Sequence, residues 1–347
     1  MFALSPISFD YYNLDIPCVV VTDHIPEVLN YDYRKYKDEV TLFDLYSNYD
    51  EDDKHFCKDR LFLGSFFLSE SYYFQKLNIS LCSATDKDMT FCALMNKERP
   101  PRTLTSAWLH KNFNHKNNFT NYSQRFTGTE GLTQLLPLLE QIEDLNFITN
   151  KKSKLLSPKF IGRYLLDPMS ENTSDDDYHM RRQNYKENTH NMERRSLINI
   201  ITEPMFFEKG NVFTEKTIQA CLSCNVPFFV NGYYTPDYFE QLGFHAFRDL
   251  IDYSAMDESN PIKRTIKLLD ANKELLLNGF DYNKYKNEIE HNFYHVQDAK
   301  TILQKIYAMN DKTLFDKWYD DICKVMTVRQ WDFSNTPVVD LYKNLKP

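Results

Sequence analysis

The sequence predicts an α/β protein, on three observations. Short apolar, β-branched runs recur at residues 17–22 (PCVVVT), 40–46 (VTLFDLY), 89–95, 197–201 and 226–230, and runs of that length bounded by turn residues form buried parallel strands. Helical segments with recognisable caps stand between and after these runs. The chain has 347 residues, 42% of them hydrophobic, which suffices for two ordinary cores. A division into residues 1–88, 89–280 and 281–347 is expected.

Taken in order, residues 17–22 and 40–46 are strand candidates, and 78–82 is a third. The apolar run 61–68 (LFLGSFFL) is short enough to be strand or helix. Residues 86–88 (DKD) read as a polar linker. Acidic charge concentrates in this first part: sixteen Asp and Glu against eight Lys and Arg give −8, while the remaining 259 residues carry 33 of each. The densest acidic run, 50–53, reads as a solvated loop or sheet edge. Met89 opens the second part. Residues 104–113 are expected to be helical with Leu104, Trp108 and Leu109 inward, and 129–145 to be a helix bent at Pro137. Residues 170–195 are a polar excursion, helical near its end.

Residues 196–232 organise the chain. The strand at 197–201 ends at Thr202-Glu203, and a loop containing Lys209-Gly210-Asn211 follows. Thr214 stands at a helix N-cap with Glu215 in the first turn, and Ile218, Cys221 and Leu222 turn inward. The strand at 226–230 stops at Asn231-Gly232. In such a strand–loop–helix–strand unit the ligand site lies at the strand's C-terminal end, against the helix N-terminus. Free N–H groups and the dipole attract phosphate there, and Lys216 adds a full positive charge. Beyond it, 236–242 is a short helix and 261–278 a longer one capped by Gly279. Tyr285, Ile289, Phe293, Val296, Ala299, Leu303 and Ile306 recur at spacings of three and four, predicting one amphipathic helix. A further helix over 311–326 carries Trp318.

Two stretches resemble a known family. Thr214-Glu215-Lys216, between a strand ending in Glu203 and one beginning at Val226-Pro227, is similar to the donor-binding signature of the α1,3-fucosyltransferases. Phe91-Cys92 with Asn96, followed six residues later by Arg102, is similar to that family's Phe-Cys…Asn…Arg segment. Order and rough separation match. The segment from Gly243-Phe244 to Phe247 is similar to one in glycosyltransferase-like proteins of phages and large viruses. The resemblance runs from residue 89 to near 252. It implies a GT-B architecture: two Rossmann-like lobes, a nucleotide-sugar in the cleft, and a C-terminal helical segment bracing the lobes.

The activity so implied is that of an inverting, metal-independent glycosyltransferase, with a nucleotide-diphosphate sugar as co-substrate and no cofactor. A diphosphate brings about two to three negative charges, which a metal-free site neutralises with Arg, Lys and helix N-termini. Arg102 and Lys216 are the leading candidates, and Arg99 is close enough to Arg102 to substitute for it. Asn96 and Thr214 belong to the matched donor segments. Glu203 and Glu215 bind ribose hydroxyls or the sugar, or orient Lys216. The base that deprotonates the acceptor is expected from the first lobe: Asp23 and His24 at a strand end, then Glu70.

Other chemistries find less support. Cys221-x-x-Cys224 falls at a helix C-terminus, away from the thiol-activating end, and reads as two buried structural cysteines. His291 and His295 have metal-ligand spacing but no third ligand in sequence, and residues 175–177 (DDD) do not follow a strand. The sequence contains neither a Gly-x-Gly-x-x-Gly nor a Walker loop, which argues against ordinary dehydrogenases and P-loop ATPases. It contains no 18-residue apolar run, so no membrane span is expected. Seven irregularly spaced cysteines suit a reducing compartment, hence the cytoplasm, the host's if the gene is phage or viral. The expected acceptor is a carbohydrate, protein or small molecule. Two alternatives are a DNA glycosyltransferase acting on a hydroxymethylated base and a non-catalytic nucleotide-sugar-binding protein. Basic residues at Lys97, Arg99, Arg102 and Lys111, and at Arg181, Arg182, Lys186, Arg194 and Arg195, keep DNA in view.

Overall fold

The computed structural model describes residues 2–3, 18–22, 40–44, 47–49, 59–62, 64, 67–68, 71, 79–95, 100–113, 118–122, 193–203, 210–230, 232, 235–328 and 338–343. Within them the chain is mixed α/β with parallel sheets and helices. The expected helix at 129–145 and the acidic run 175–177 lie outside the described residues.

Strands β1 (Phe2–Ala3), β2 (Cys18–Thr22), β3 (Val40–Asp44), β4 (Ser47–Tyr49) and β5 (Asp59–Phe62) come first. β1, β2, β3 and β5 form one parallel sheet in sequential order. The apolar run 61–68 is strand and then helix. β5 ends at Phe62, Gly64 takes a left-handed φ of 55°, and Phe67 and Leu68 enter a helical turn in which Leu68 N–H bonds the Gly64 carbonyl. Residues 79–83 do not form the strand expected at 78–82. Ile79, Leu81 and Cys82 pack against the core while Ser80 and Ser83 face solvent, so the apolar residues of this segment mark packing on the core without a ladder partner. Ser83 then caps a 3₁₀ turn, Ala84–Asp86, whose Asp86 carboxylate returns to the Ser83 N–H at 2.7 Å.

The second sheet contains β6 (Met89–Met95), β7 (Asn118–Tyr122), β8 (Ser196–Ile201) and, after β9 (Gly210–Val212), β10 (Val226–Phe229). Its order is β10-β8-β6-β7, all parallel. The chain therefore winds outward one way from β6 to β7 and the other way from β8 to β10, reversing between β6 and β8. That reversal is where a doubly wound sheet opens a crevice at its strands' C-terminal ends. Residues 210–212, expected in a loop, instead pair antiparallel with β4.

Nine helices are described: α1 (Pro100–Asn112), α2 (Glu215–Leu222), α3 (Thr235–Gln241), α4 (Pro261–Ala271), α5 (Lys273–Asn278), α6 (Lys286–His295), α7 (Ala299–Met309), α8 (Lys312–Val328) and α9 (Val338–Lys343). Leu104, Trp108 and Leu109 of α1 are buried, as their spacing predicts. The helix expected over 261–278 is two helices. Asn272 breaks it by turning its side chain to the backbone of Asp252 and to the Leu268 carbonyl, and Gly279 ends α5 at φ 70°. The amphipathic run through 285–306 is likewise divided, between α6 and α7, where Asp298 caps α7 by accepting from Thr301 N–H at 3.0 Å. All seven apolar positions of that run are nevertheless buried, because the break preserves their common face. Asn310, after α7, both donates to and accepts from the Phe62 backbone at 2.8 Å, which ties the C-terminal helices to β5. One apolar cluster runs from Leu61 through Phe91, Ile198 and Phe228 to Ile302 and Phe315.

Candidate functional site

Five of the residues singled out in the sequence meet at the reversal between β6 and β8. α1 follows β6 and begins with Pro100-Pro101, which suit a first helical turn because its N–H groups have no helical partner. Arg102 follows them and is 6% exposed. Its Nε donates to the Thr202 carbonyl at 3.3 Å, so the guanidinium lies against the end of β8.

The acid that ends that strand holds the N-terminus of α2. Glu203, 4% exposed, accepts from Thr214 N–H at 2.9 Å, from Thr214 Oγ1 at 2.7 Å and from Thr217 Oγ1 at 3.2 Å. Thr214 Oγ1 in turn accepts from Lys216 N–H at 3.4 Å. In an ordinary capping box the third helical residue is a Glu or Gln that reaches back to the cap's N–H. Here that residue is Thr217, and Glu203 supplies the carboxylate from eleven residues upstream. Burial pushes the Glu203 carboxyl above its usual range, opposed by the Lys216 charge and the bonds from Thr214. Phe213, just before the cap, is fixed by stacking on Tyr238 at 5.0 Å and by tilted contacts with Phe229 and Phe239.

On the outer side of the cap, Lys216 Nζ pairs with Glu215 Oε1 at 2.6 Å, and their side chains remain 17% and 32% exposed. Burial acts to raise the Glu215 pKa, but the Lys216 ammonium, with Arg102 contributing, holds it down to about 2. The corner thus presents a charged pair to solvent and keeps its supporting bonds inside. Beside it the Thr202 hydroxyl is buried and lacks a hydrogen-bond partner among the described residues, a costly state for a polar group unless a ligand or water meets it.

Arg102, Glu203, Thr214, Glu215 and Lys216 are therefore neighbours. Asn96, Arg99, Asp23, His24 and Glu70 lie outside the described residues. Sequence reading did not single out Thr217 or Thr202. Thr217 carried a signal in its position three residues after the cap, whereas Thr202 became notable only through its orphaned hydroxyl.

At the opposite end of β8, Glu193 is fully buried and accepts from Asn199 Nδ2 at 2.8 Å and Ser223 Oγ at 3.4 Å. Burial pushes its carboxyl up to about 8. His291 and His295 each bond a backbone carbonyl, of Gly243 at 2.9 Å and Leu242 at 2.8 Å, which fixes α6 to the turn after α3. Among the described residues no three His, Cys, Asp or Glu side chains gather to hold a metal, and no helix is long and apolar enough to cross a membrane. Searches against family models, curated proteins and solved structures returned no match.

Proposed function

We propose that this corner binds the diphosphate of a nucleotide-sugar and that the chain is an inverting, metal-independent GT-B glycosyltransferase of two Rossmann-like lobes. The observation that carries the reading is the convergence of Arg102 and Lys216 on the N-terminus of α2 at the topological switch point. Two cations at the positive end of a helix supply the charge that a diphosphate needs. Glu203 holds the cap, so Lys216 is presented from a rigid turn. Glu215, ionised at neutral pH, orients Lys216 and can accept from ribose or sugar hydroxyls, as the likeness to α1,3-fucosyltransferases implies. Inversion requires in addition a base on the acceptor hydroxyl, assigned in this reading to Asp23, His24 or Glu70.

Isothermal titration with GDP and with UDP tests the site. Lys216→Ala and Arg102→Ala are each expected to weaken binding of the nucleotide that the wild type takes by about 1.5–3 kcal/mol, the range for charge-assisted hydrogen bonds. Folded variants that bind as tightly as wild type would remove the donor site from this corner.

A further inference from the structure

The CxxC motif directs attention to Cys221 and Cys224, but the thiol that meets Cys224 comes from elsewhere. Cys82 lies 142 residues upstream, in the segment that approaches β6, and its backbone N–H donates to Cys224 Sγ at 3.2 Å. The Cys82 thiol donates to the Ser223 carbonyl at 3.3 Å, so both contacts set the two cysteines side by side. Both residues are free cysteines. Cys224 turns the chain from α2 into β10 with a left-handed φ of 54°, which aims its side chain back toward residue 82.

Charged groups surround the pair. Lys87 Nζ bonds the Ser223 carbonyl and Asn225 Oδ1, each at 2.7 Å. Arg194 Nη1 holds the Ser80 carbonyl at 2.6 Å, and Tyr282 donates its hydroxyl to the Cys82 carbonyl at 3.4 Å. Asp86 contributes the opposing negative charge. The adjacent Cys224 thiol, then the Lys87 and Arg194 charges, lower the Cys82 pKa against the opposing effect of burial. The other thiols differ: its tie to Cys82, then burial, pushes Cys224 up, and burial pushes Cys92 and Cys221 up, so Cys82 alone of the four holds thiolate character near neutral pH and Cys224 takes part as a thiol. Thiolate character is what makes a cysteine react with oxidants.

We infer that Cys82 and Cys224 form a redox-responsive dithiol, oxidised by hydroperoxides to a disulfide that ties the 82–88 segment to the turn after α2. The Cys82 thiolate attacks a peroxide oxygen and the O–O bond breaks, leaving a sulfenic acid and releasing water from hydrogen peroxide once the departing oxygen is protonated. The Cys224 sulfur then attacks the Cys82 sulfur, and the hydroxide expelled leaves as a second water with the Cys224 proton. The two thiols lose two electrons and the peroxide gains them. A second thiol held beside the first favours this outcome over further oxidation of a single cysteine. The site is separate from the proposed nucleotide corner, which lies at the other end of α2.

The test is peptide mapping of the full chain. Reduced protein is treated with hydrogen peroxide, alkylated in denaturant with N-ethylmaleimide and digested without reductant. The expected product links the peptides bearing residues 82 and 224, exceeds every other cysteine pairing by about tenfold, and disappears with dithiothreitol. Cys92 and Cys221 remain alkylatable. Cys82→Ser and Cys224→Ser each abolish the link. Should either variant fail to fold, the wild-type map decides alone. Full alkylation of residues 82 and 224 after peroxide, their separate oxidation without a link, or a dominant bond to another cysteine would overturn the inference.

Discussion

Glu193 and Glu203 are both buried carboxylates on or beside β8, yet they serve its two ends differently. Glu203 accepts bonds that organise a helix terminus, while Glu193 accepts from two side chains and has no cation bonded to it in the described structure. Burial raises the Glu193 pKa from 4.5 to about 8. A raised carboxyl favours the folded state when protonated, so its contribution is complete below about pH 4.5 and is lost as pH climbs through about 8. Glu193→Gln keeps the shape of the neutral acid and removes the titration. Unfolding by urea between pH 5 and 9 should therefore show the wild type losing stability relative to Glu193→Gln, by at most about 1.4 kcal/mol per pH unit. Parallel pH profiles for the two proteins would contradict this.

At the scale of the element, α2 is eight residues long, too short to be stable on its own. Its order comes from what surrounds it: the buried Ile218, Ala220, Cys221 and Leu222, the Thr214 cap, and the Glu203 carboxylate that replaces the missing third-position acid. Glu203→Ala removes three accepted bonds and leaves the Thr214 N–H buried, so a loss of about 2–4 kcal/mol is expected in denaturant unfolding. Glu203→Gln keeps one acceptor oxygen for that N–H and should lose less than half as much. Equal losses for the two variants would mean that the carboxylate's volume, not its hydrogen bonds, supports the helix. The same logic explains the helices that split. Asn272 and Asp298 sit within apolar periodicities that run straight through them, but each uses its side chain for a bond that a continuous helix would forbid.

For the whole molecule, the question is which acceptor the charge distribution admits. Residues 1–88 carry −8, and DNA affinity rests on cations neutralising phosphates. Of the arginines that kept DNA in view, Arg99, Arg181 and Arg182 lie outside the described residues; among the described ones Arg102 is buried, Arg194 is bonded to Ser80, and Arg195 pairs with Asp88 at 2.5 Å. Fluorescence anisotropy with duplex DNA, with and without hydroxymethylcytosine, should show only weak binding and a shallow dependence on salt. Micromolar or tighter binding with a steep log–log salt slope would move the proposed acceptor from carbohydrate, protein or small molecule to DNA.

The sequence by itself determined the strands β2, β3, β6, β8 and β10, the cap at Thr214 and the inward faces of α1 and α2. Each of these depends on residues close in the chain: an apolar run of set length, a hydroxyl before a first turn, a spacing of three or four. Only the tertiary structure decided that residues 79–83 stay unpaired, that residues 210–212 pair with β4, and that Asn272 interrupts a helix, because a ladder partner or a competing hydrogen bond is supplied from far away. The two sites divide in the same way. Lys216 at a helix N-terminus is legible from a local pattern, whereas the Glu203 carboxylate beneath it, the Arg102 guanidinium beside it and the meeting of Cys82 with Cys224 exist only because the β6–β8–β10 order brings distant segments together. Local periodicity reports which way a side chain faces, and the fold alone reports what it meets there.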